Sequence, residues 1–174
     1  MNSKTALITG ASVGIGRATA LVLAEQGYTL VLLARRLDKL QALQDELAIE
    51  SHLIACDIND HLALDEALQN IPPEFHNIDV LINNAGIYIR GDATETSADD
   101  WRKTLAVNLD APFFLSKASI PHLRKSKGAI INIASDWGLQ GGKRAAAYCA
   151  SKGGIVLLTK GMALDHAAEG IRVN

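Results

Sequence analysis

Apolar runs alternate with stretches of helical spacing along the whole chain. A continuous apolar run such as 29–34 is typical of a strand that is buried on both faces of a parallel sheet. Between such runs, apolar residues recur at helical spacing, as at Ala18, Leu21 and Val22. The pattern predicts strands at 6–9, 29–34, 52–56, 80–83, 129–134 and 171–173. It predicts helices at 15–26, 37–49, 60–69, 98–124 (with a bend near Pro112) and 148–169.

This alternation of strands and helices indicates the fold class. Right-handed crossovers between successive strands produce a doubly wound parallel sheet with helices on both faces. We therefore predict an α/β fold of the Rossmann type, formed by residues 1–174 as a single domain, because no linker, repeat or low-complexity segment divides the sequence. The sequence ends at Asn174, where the sixth strand should still be running, so we expect the C-terminal edge of the sheet to be truncated.

Composition and charge narrow the classes of partner. The chain has 174 residues and a formal net charge of -2, from 17 basic and 19 acidic side chains. This balance gives no electrostatic reason to expect nucleic acid or an anionic membrane as a partner. Charged residues interrupt each apolar run before it is long enough to cross a bilayer. Residues 1–5 lead directly into the first predicted strand, so we expect no signal peptide.

The cysteines give no indication of a metal site. Cys56 and Cys149 are the two cysteines of the chain, and their spacing fits no known metal motif. We expect no metal, reduced thiols and a cytoplasmic location.

A glycine-rich turn separates the first predicted strand from the first helix. It reads TGASVGIG over 9–16 and contains Gly10, Gly14 and Gly16. Glycines at such a turn let the backbone change direction sharply and let a phosphate approach closely. The free N–H groups and the partial positive charge of the following helix N-terminus favour a pyrophosphate. An ordinary tight turn is the alternative, but the position inside a strand–helix–strand unit favours a dinucleotide site.

The residues after the second strand indicate which dinucleotide is preferred. An acidic residue at this place holds the ribose 2′-hydroxyl of NAD, whereas an arginine suits the 2′-phosphate of NADP. Here Arg35 and Arg36 follow the strand and no acid is present. We therefore expect NADP, with NAD the less favoured alternative, and Arg35 is the better candidate for the contact. The competing interpretation is that both arginines are solvated at the start of a helix.

Five motifs, taken in order, resemble those of the short-chain dehydrogenase/reductase family. They are the glycine-rich turn, Asn83-Asn84-Ala85-Gly86, Asn108, Ser135 and Tyr148-x-x-x-Lys152, within a resemblance that covers residues 4–174. Val13 departs from the basic residue that many NADP-binding members carry there, so the NADP prediction depends on the two arginines. The cofactor-binding positions that the resemblance implies are Gly10, Ser12, Gly14, Ile15, Gly16, Arg35, Arg36, Asp57, Ile58, Asn84, Ala85, Gly86, Tyr148 and Lys152.

Tyr148 and Lys152 are expected to form the reacting pair. They lie four residues apart on a predicted helix and therefore share one face. An ammonium group close to a phenol favours the phenolate, which makes a tyrosine a usable general acid or base. Ser135 is predicted at the carboxyl end of the fifth strand, where ligands bind outside a parallel sheet, and its hydroxyl is expected to hydrogen-bond the substrate oxygen. The resemblance also implies that Asn108 connects Lys152 to solvent through a water.

The expected function is that of an NADP-dependent oxidoreductase, which transfers a hydride between the nicotinamide and a carbonyl or alcohol carbon. The predicted catalytic residues are Asn108, Ser135, Tyr148 and Lys152. A non-catalytic dinucleotide-binding protein is one alternative. An inactive fragment is another, because in the family a loop and a helix beyond the sixth strand cover the nicotinamide and the substrate.

The substrate and the assembly state are less well specified by the sequence. The segments 87–95 and 136–147 are expected to flank the substrate, with Trp137, Leu139 and Gln140 as candidate contacts. Lys143 and Arg144 are expected to face solvent. The resemblance implies a homodimer or homotetramer that associates through the predicted helices 98–124 and 148–169.

Overall fold

The computed structural model describes residues 3–174, apart from the side chain of His61. Met1 and Asn2 lie outside the described residues. They are the first residues of the N-terminal stretch for which no signal peptide is expected. Six parallel strands form one sheet: β1 (Thr5–Thr9), β2 (Thr29–Ala34), β3 (Ser51–Ala55), β4 (Ile78–Asn83), β5 (Ala129–Asn132) and β6 (Arg172–Val173). Their order in the sheet is β3-β2-β1-β4-β5-β6. The predicted doubly wound α/β fold is confirmed.

Helices cover both faces of this sheet. They are α1 (Gly14–Glu25), α2 (Leu37–Glu46), α3 (His61–Gln69), α4 (Ala98–Leu105), α5 (Ala111–Ser126) and α6 (Ala146–His166). A π-helical segment, Ala106–Asp110, joins α4 to α5, so the irregularity expected near Pro112 lies a few residues earlier along the chain. Of the helices that the structure describes, none is long and apolar enough to cross a membrane.

Alternate residues of the strands enter two separate cores. In β1, Leu7 packs in the core that includes Leu115 of α5 and Met162 of α6. Its neighbours Ala6 and Ile8 pack on the opposite face with residues of α1 and α2. Burial on both faces explains why the strands are continuous apolar runs in the sequence. The chain changes direction in the sheet between β1 and β4, and ligands of such folds bind at this switch point, outside the carboxyl ends of the strands.

Several predicted boundaries differ from those of the structure by up to three residues, and two of them have a clear physical reason. The helix predicted to reach Ile49 ends at Glu46, because Leu47 has an extended backbone (φ -77°, ψ 125°) and its side chain is buried. The strand predicted to reach Ala134 ends at Asn132, the last residue that β5 pairs with β4. In each case an apolar residue beyond the element continues the hydrophobic pattern without continuing the regular structure.

Candidate functional site

A cavity of about 320 Å³ opens at the carboxyl ends of β1 to β4. The first residues after these strands line it, together with Lys103 of α4 and Val107 of the π-helical segment. The cavity therefore lies at the switch point between β1 and β4. The predicted cofactor-binding residues that line it are Gly10, Ser12, Arg35, Arg36, Asp57, Ile58, Asn84, Ala85 and Gly86. Those outside its lining are Gly14, Ile15, Gly16, Tyr148 and Lys152.

Hydrogen bonds tie the end of β1 to the end of β4 beneath this cavity. The Thr9 hydroxyl accepts hydrogen bonds from the backbone N–H groups of Asn84 (3.0 Å) and Ala85 (2.9 Å). In return, the side-chain amide of Asn84 donates to the carbonyls of Thr9 (2.9 Å) and Gly10 (3.3 Å). These bonds fix the polar turn after β4 against the glycine-rich turn after β1.

Gly16 has a packing role rather than a lining role. A Cβ atom at this position would lie 2.5 Å from both the Asn84 amide nitrogen and the Gly10 carbonyl oxygen. Only a residue without a side chain allows α1 to approach the two turns this closely. Gly10 itself has a positive φ of 64°, which glycine adopts without strain.

The N-terminus of α1 is open. No side chain caps it through Val13, and no acidic residue lies in its first turn. Its first backbone N–H groups therefore have no intrahelical acceptor and carry the positive end of the helix dipole. An anionic group placed beside the glycine-rich turn would satisfy both.

Three cations and one carboxylate line the cavity. The cations are Arg35, Arg36 and Lys103, and the carboxylate is Asp57. None of the three cations takes part in an ion pair with another residue of the described part, 3–174. The sequence interpretation did not include Lys103. No motif in the sequence marks it, because its place in the lining depends on where α4 packs in the fold.

Helix α6 places Tyr148 and Lys152 on one face, as their spacing predicts. The Lys152 Nζ lies 5.8 Å from the centroid of the Tyr148 ring. Only 5% of Lys152 is exposed, and its Nζ donates a hydrogen bond to the carbonyl of Ile133, just beyond β5. Burial lowers the pKa of Lys152, because removal from water penalises the charged form.

Asn108 connects the polar turn after β4 to α6. It is 1% exposed, and its side-chain amide donates to the Ile87 carbonyl (2.9 Å) and to the Ser151 hydroxyl (3.0 Å), while its oxygen accepts from the Ile87 N–H (2.8 Å). Ser151 in turn donates to the Tyr148 carbonyl (2.8 Å). We refer to Asn108, Tyr148, Ser151 and Lys152 as the reacting cluster. Ser151 is a member that the sequence interpretation missed, although it lies between the two reacting residues.

The reacting cluster adjoins the cavity at Gly86. A Cβ atom on Gly86 would lie 3.4 Å from the Asn108 side-chain oxygen and 3.7 Å from the Lys152 Nζ. Gly86 also lines the cavity. The glycine-rich turn and the reacting cluster are therefore two ends of one continuous site.

Ser135 does not lie at the end of β5, as the sequence interpretation expected. The strand stops three residues earlier, at Asn132, and the next carbonyl, that of Ile133, accepts the Lys152 hydrogen bond. Ser135 instead begins a short 3-10 turn, Asp136–Gly138. Its hydroxyl donates to the Asp136 carboxylate (3.0 Å) and accepts from the Trp137 N–H (3.2 Å).

Comparison with known proteins identifies the family. Residues 4–174 match the family model described as short chain dehydrogenase. The chain belongs to the short-chain dehydrogenase/reductase family. It is 42% identical over 177 residues to meso-2,3-butanediol dehydrogenase of Serratia marcescens, which covers 99% of this chain and 69% of that protein. It is 34% identical over 177 residues to 3beta-hydroxysteroid dehydrogenase of Mediterraneibacter gnavus, with 99% of this chain and 64% of that protein covered.

Solved structures agree with this assignment. The crystal structure of NAD⁺-bound xylitol dehydrogenase superimposes with a TM-score of 0.94 at 35% identity, covering 99% of this chain and 68% of that one. A 4-hydroxyisoleucine dehydrogenase mutant complexed with NADH and succinate gives a TM-score of 0.90 at 33% identity, covering 98% and 71%. The chain thus spans about two thirds of the length of these relatives, and the family is one of oxidoreductases.

Proposed function

We propose that the protein is an NADP(H)-dependent oxidoreductase that interconverts an alcohol and a carbonyl compound. The observation that carries this proposal is that Asn108 and Lys152 lie beside Gly86 at one end of the cavity, with the Tyr148 ring close to Lys152. The proposal assigns residues 1–174 to one dinucleotide-binding domain that also holds the reacting groups. The dehydrogenases among its relatives support the reaction class.

The residues of the cavity fit a dinucleotide. The open N-terminus of α1 and the glycine-rich turn would hold the pyrophosphate. Asp57, Ile58 and Val107 would surround the adenine, and Gly86 would lie beside the nicotinamide ribose, close to Lys152. When bound, the nicotinamide supplies the hydride acceptor for an alcohol or the hydride donor for a carbonyl compound.

The protein's own residues would handle the proton and orient the substrate. Tyr148 takes the hydroxyl proton of an alcohol, or returns it to the oxygen of a carbonyl compound. Lys152 places a positive charge near the phenol and stabilises the phenolate that forms. Ser135 would donate a hydrogen bond to the substrate oxygen once its hydroxyl rotates away from Asp136, because the single hydroxyl proton of an alcohol goes to Tyr148.

Asn108 acts as a positioning residue in this scheme. Its three hydrogen bonds hold the Ile87 backbone and Ser151, and Ser151 holds the Tyr148 carbonyl. These bonds keep the first turns of α6 at a fixed distance from the loop after β4. The substrate and the nicotinamide would both bind in the space between them.

Charge supports the preference for NADP(H). Three cations (Arg35, Arg36 and Lys103) and one carboxylate (Asp57) line the cavity, and the residue that directly follows β2 is an arginine instead of an acid. Arginine binds phosphate in a bidentate manner. Two similar proteins have structures with NAD⁺ or NADH bound, which are cofactors of those proteins and do not decide the preference of this one.

Exchange of Arg35 tests this preference. Arg35→Asp is expected to lower kcat/KM for NADPH about 10- to 100-fold and to change kcat/KM for NADH much less, since a charged hydrogen bond contributes about 1.5–3 kcal/mol. Arg102→Asp is the matched control, because the Arg102 side chain is exposed on α4 and lies outside the cavity lining. A wild-type preference for NADH, or an unchanged cofactor ratio in Arg35→Asp, would contradict the proposal.

We further propose that the protein forms a homo-oligomer through α4, α5 and α6. Phe113 and Leu157 remain 42% and 68% exposed on these helices, whereas Leu115 and Met162 are used by the core. Light scattering of Leu157→Lys should report a smaller particle than the wild-type protein if this face is the interface. An unchanged mass would contradict it.

A further inference from the structure

Three aromatic rings meet at the reacting tyrosine. Tyr88 packs edge-to-face on Tyr148, with ring centroids 5.3 Å apart and an interplanar angle of 70°. Trp137 packs on Tyr148 from another side at 6.0 Å and 86°. Tyr88 and Trp137 also contact each other at 5.7 Å and 75°. Each pair has the T-shaped geometry that aromatic quadrupoles favour. We call these two rings beside Tyr148 the aromatic wall.

The first ring of the aromatic wall is anchored by a link between two loops. The Tyr88 hydroxyl donates to the Arg144 carbonyl (3.2 Å), which also accepts from the Gly91 N–H (2.9 Å). The Ala146 N–H donates back to the Gly91 carbonyl (3.2 Å), so the two loops form a short parallel bridge. Arg144, expected to face solvent, instead pairs with Glu95 at 2.7 Å across the same link.

The second ring is anchored by close packing. The indole of Trp137 lies against Gly142, where a Cβ atom would be 2.5 Å from the ring. Gly138, which follows Trp137 in the chain, packs closely on α6, since a Cβ atom there would be 2.5 Å from the Lys152 carbonyl oxygen. The 3-10 turn that carries Trp137 is thereby fixed on the helix that carries Tyr148.

We propose that Tyr88 and Trp137 are specificity-determining residues, which restrict the substrate to alcohols and carbonyl compounds with short, uncharged groups on the reacting carbon. This inference rests on the proposed function. When the substrate oxygen reaches the Tyr148 hydroxyl, the two groups on the reacting carbon lie next to the aromatic wall. The rings leave little room for a bulky substituent, and they offer no countercharge to an ionic one. Tyr88 is 47% exposed, so its ring is accessible to a molecule that approaches Tyr148 from solvent.

The first test compares two ketones of different size, butanone and benzylacetone. In Tyr88→Ala and in Trp137→Ala, the ratio of kcat/KM for benzylacetone to that for butanone should rise about tenfold or more, because each change removes a ring from the pocket. Leu62→Ala is the control, since Leu62 is exposed on α3, far along the chain from the aromatic wall, and its ratio should stay at the wild-type value. Turnover with an unchanged ratio in both wall variants would overturn the inference and leave the proposed function standing.

The second test does not require turnover. The chain has two tryptophans, so Trp137 is the sole indole in a Trp101→Phe variant. Titration of that variant with butanone should change the Trp137 emission at lower concentration than titration with benzylacetone, and adding Tyr88→Ala should reverse or abolish that order. This result without any turnover would support the aromatic wall and count against the proposed function. Emission that responds to neither ketone would overturn the inference.

Discussion

The two ends of the candidate site differ in what fixes their geometry. We call the end around the glycine-rich turn, which is proposed to bind the cofactor, the cofactor end. There, backbone segments determine most of the geometry, through the hydrogen-bonded turns after β1 and β4 and the close approach of Gly16. Its cations project into the cavity without ion-pair partners among the described residues. At the reacting end, side chains carry the shape. Asn108 and Lys152 are almost completely buried there and are held by named hydrogen bonds.

This difference has a consequence for substitution. A side chain at the cofactor end contributes affinity that neighbouring groups share, so single changes should be graded. A side chain of the reacting cluster has buried partners, and its removal leaves them unsatisfied, so single changes should be severe.

The largest expected effect is that of Tyr148→Phe. The change removes the hydroxyl that is proposed to transfer the proton but keeps the ring that packs on Tyr88 and Trp137. Turnover should fall roughly 10²- to 10⁴-fold, the usual contribution of a general acid or base. The dinucleotide dissociation constant, measured by fluorescence titration, should change little. Tyr28→Phe makes the same chemical change outside the cavity lining and should leave turnover intact. Full activity in Tyr148→Phe would remove the tyrosine from the mechanism.

Asn108→Ala should show how strongly the reacting end depends on buried partners. The change deprives the Ile87 N–H, the Ile87 carbonyl and the Ser151 hydroxyl of a partner. The free energy of unfolding should fall by about 2–4 kcal/mol in urea denaturation, since unsatisfied buried polar groups are costly. Asn77→Ala is the control because Asn77 is exposed. A loss equal to that of the control would mean that these bonds do not hold the two loops together.

Gly16→Ala addresses the backbone-built end. The new Cβ would lie 2.5 Å from the Asn84 amide nitrogen and from the Gly10 carbonyl oxygen, so the turn that is proposed to bind the pyrophosphate has to move. We expect the dinucleotide to bind about tenfold more weakly, by about 1.4 kcal/mol, in calorimetry. Gly161→Ala is the control: its Cβ meets nothing within 4 Å in α6, and alanine there should stabilise by about 0.5–1 kcal/mol. Wild-type affinity in Gly16→Ala would show that the close approach is dispensable.

Backbone features of the cofactor end can be read from the sequence more directly than the contacts of the reacting end, for the same physical reason. Local backbone features such as the turn at 9–16 and the arginines after β2 are set by neighbours in the chain, so a motif specifies their position. β2 was predicted with its exact bounds, 29–34. Long-range contacts have no such local signal. The hydrogen bond from Lys152 to Ile133 that accompanies the early end of β5, and the interaction of Asn108 with Ser151, depend on how α6 packs on the sheet.

Tyr88 and Arg144 illustrate the same limit. Nothing near Arg144 in the sequence indicates that its carbonyl accepts the Tyr88 hydroxyl across 56 positions or that its guanidinium pairs with Glu95. Its positive φ of 55° is equally invisible, since the residue is not a glycine.

The smallest effect, and the one that most directly separates the two ends, is the pH dependence of stability that Lys152 confers. Burial lowers the pKa of Lys152 in the folded protein below its ordinary value of 10.5. Between that lowered pKa and 10.5, the unfolded chain binds a proton that the folded protein does not, so the free energy of unfolding rises with pH in this window. Below the window both states are charged and the penalty of burying the charge is complete.

Urea denaturation at a series of pH values should therefore show wild-type protein gaining stability relative to Lys152→Met as the pH rises towards 10.5. Lys160→Met, at an exposed position of the same helix, should follow the wild-type curve. Parallel curves for wild type and Lys152→Met would mean that Lys152 is solvated in the folded protein. Lys152 would then not be a buried side chain, and the proposed difference between the cofactor end and the reacting end would be contradicted at this residue.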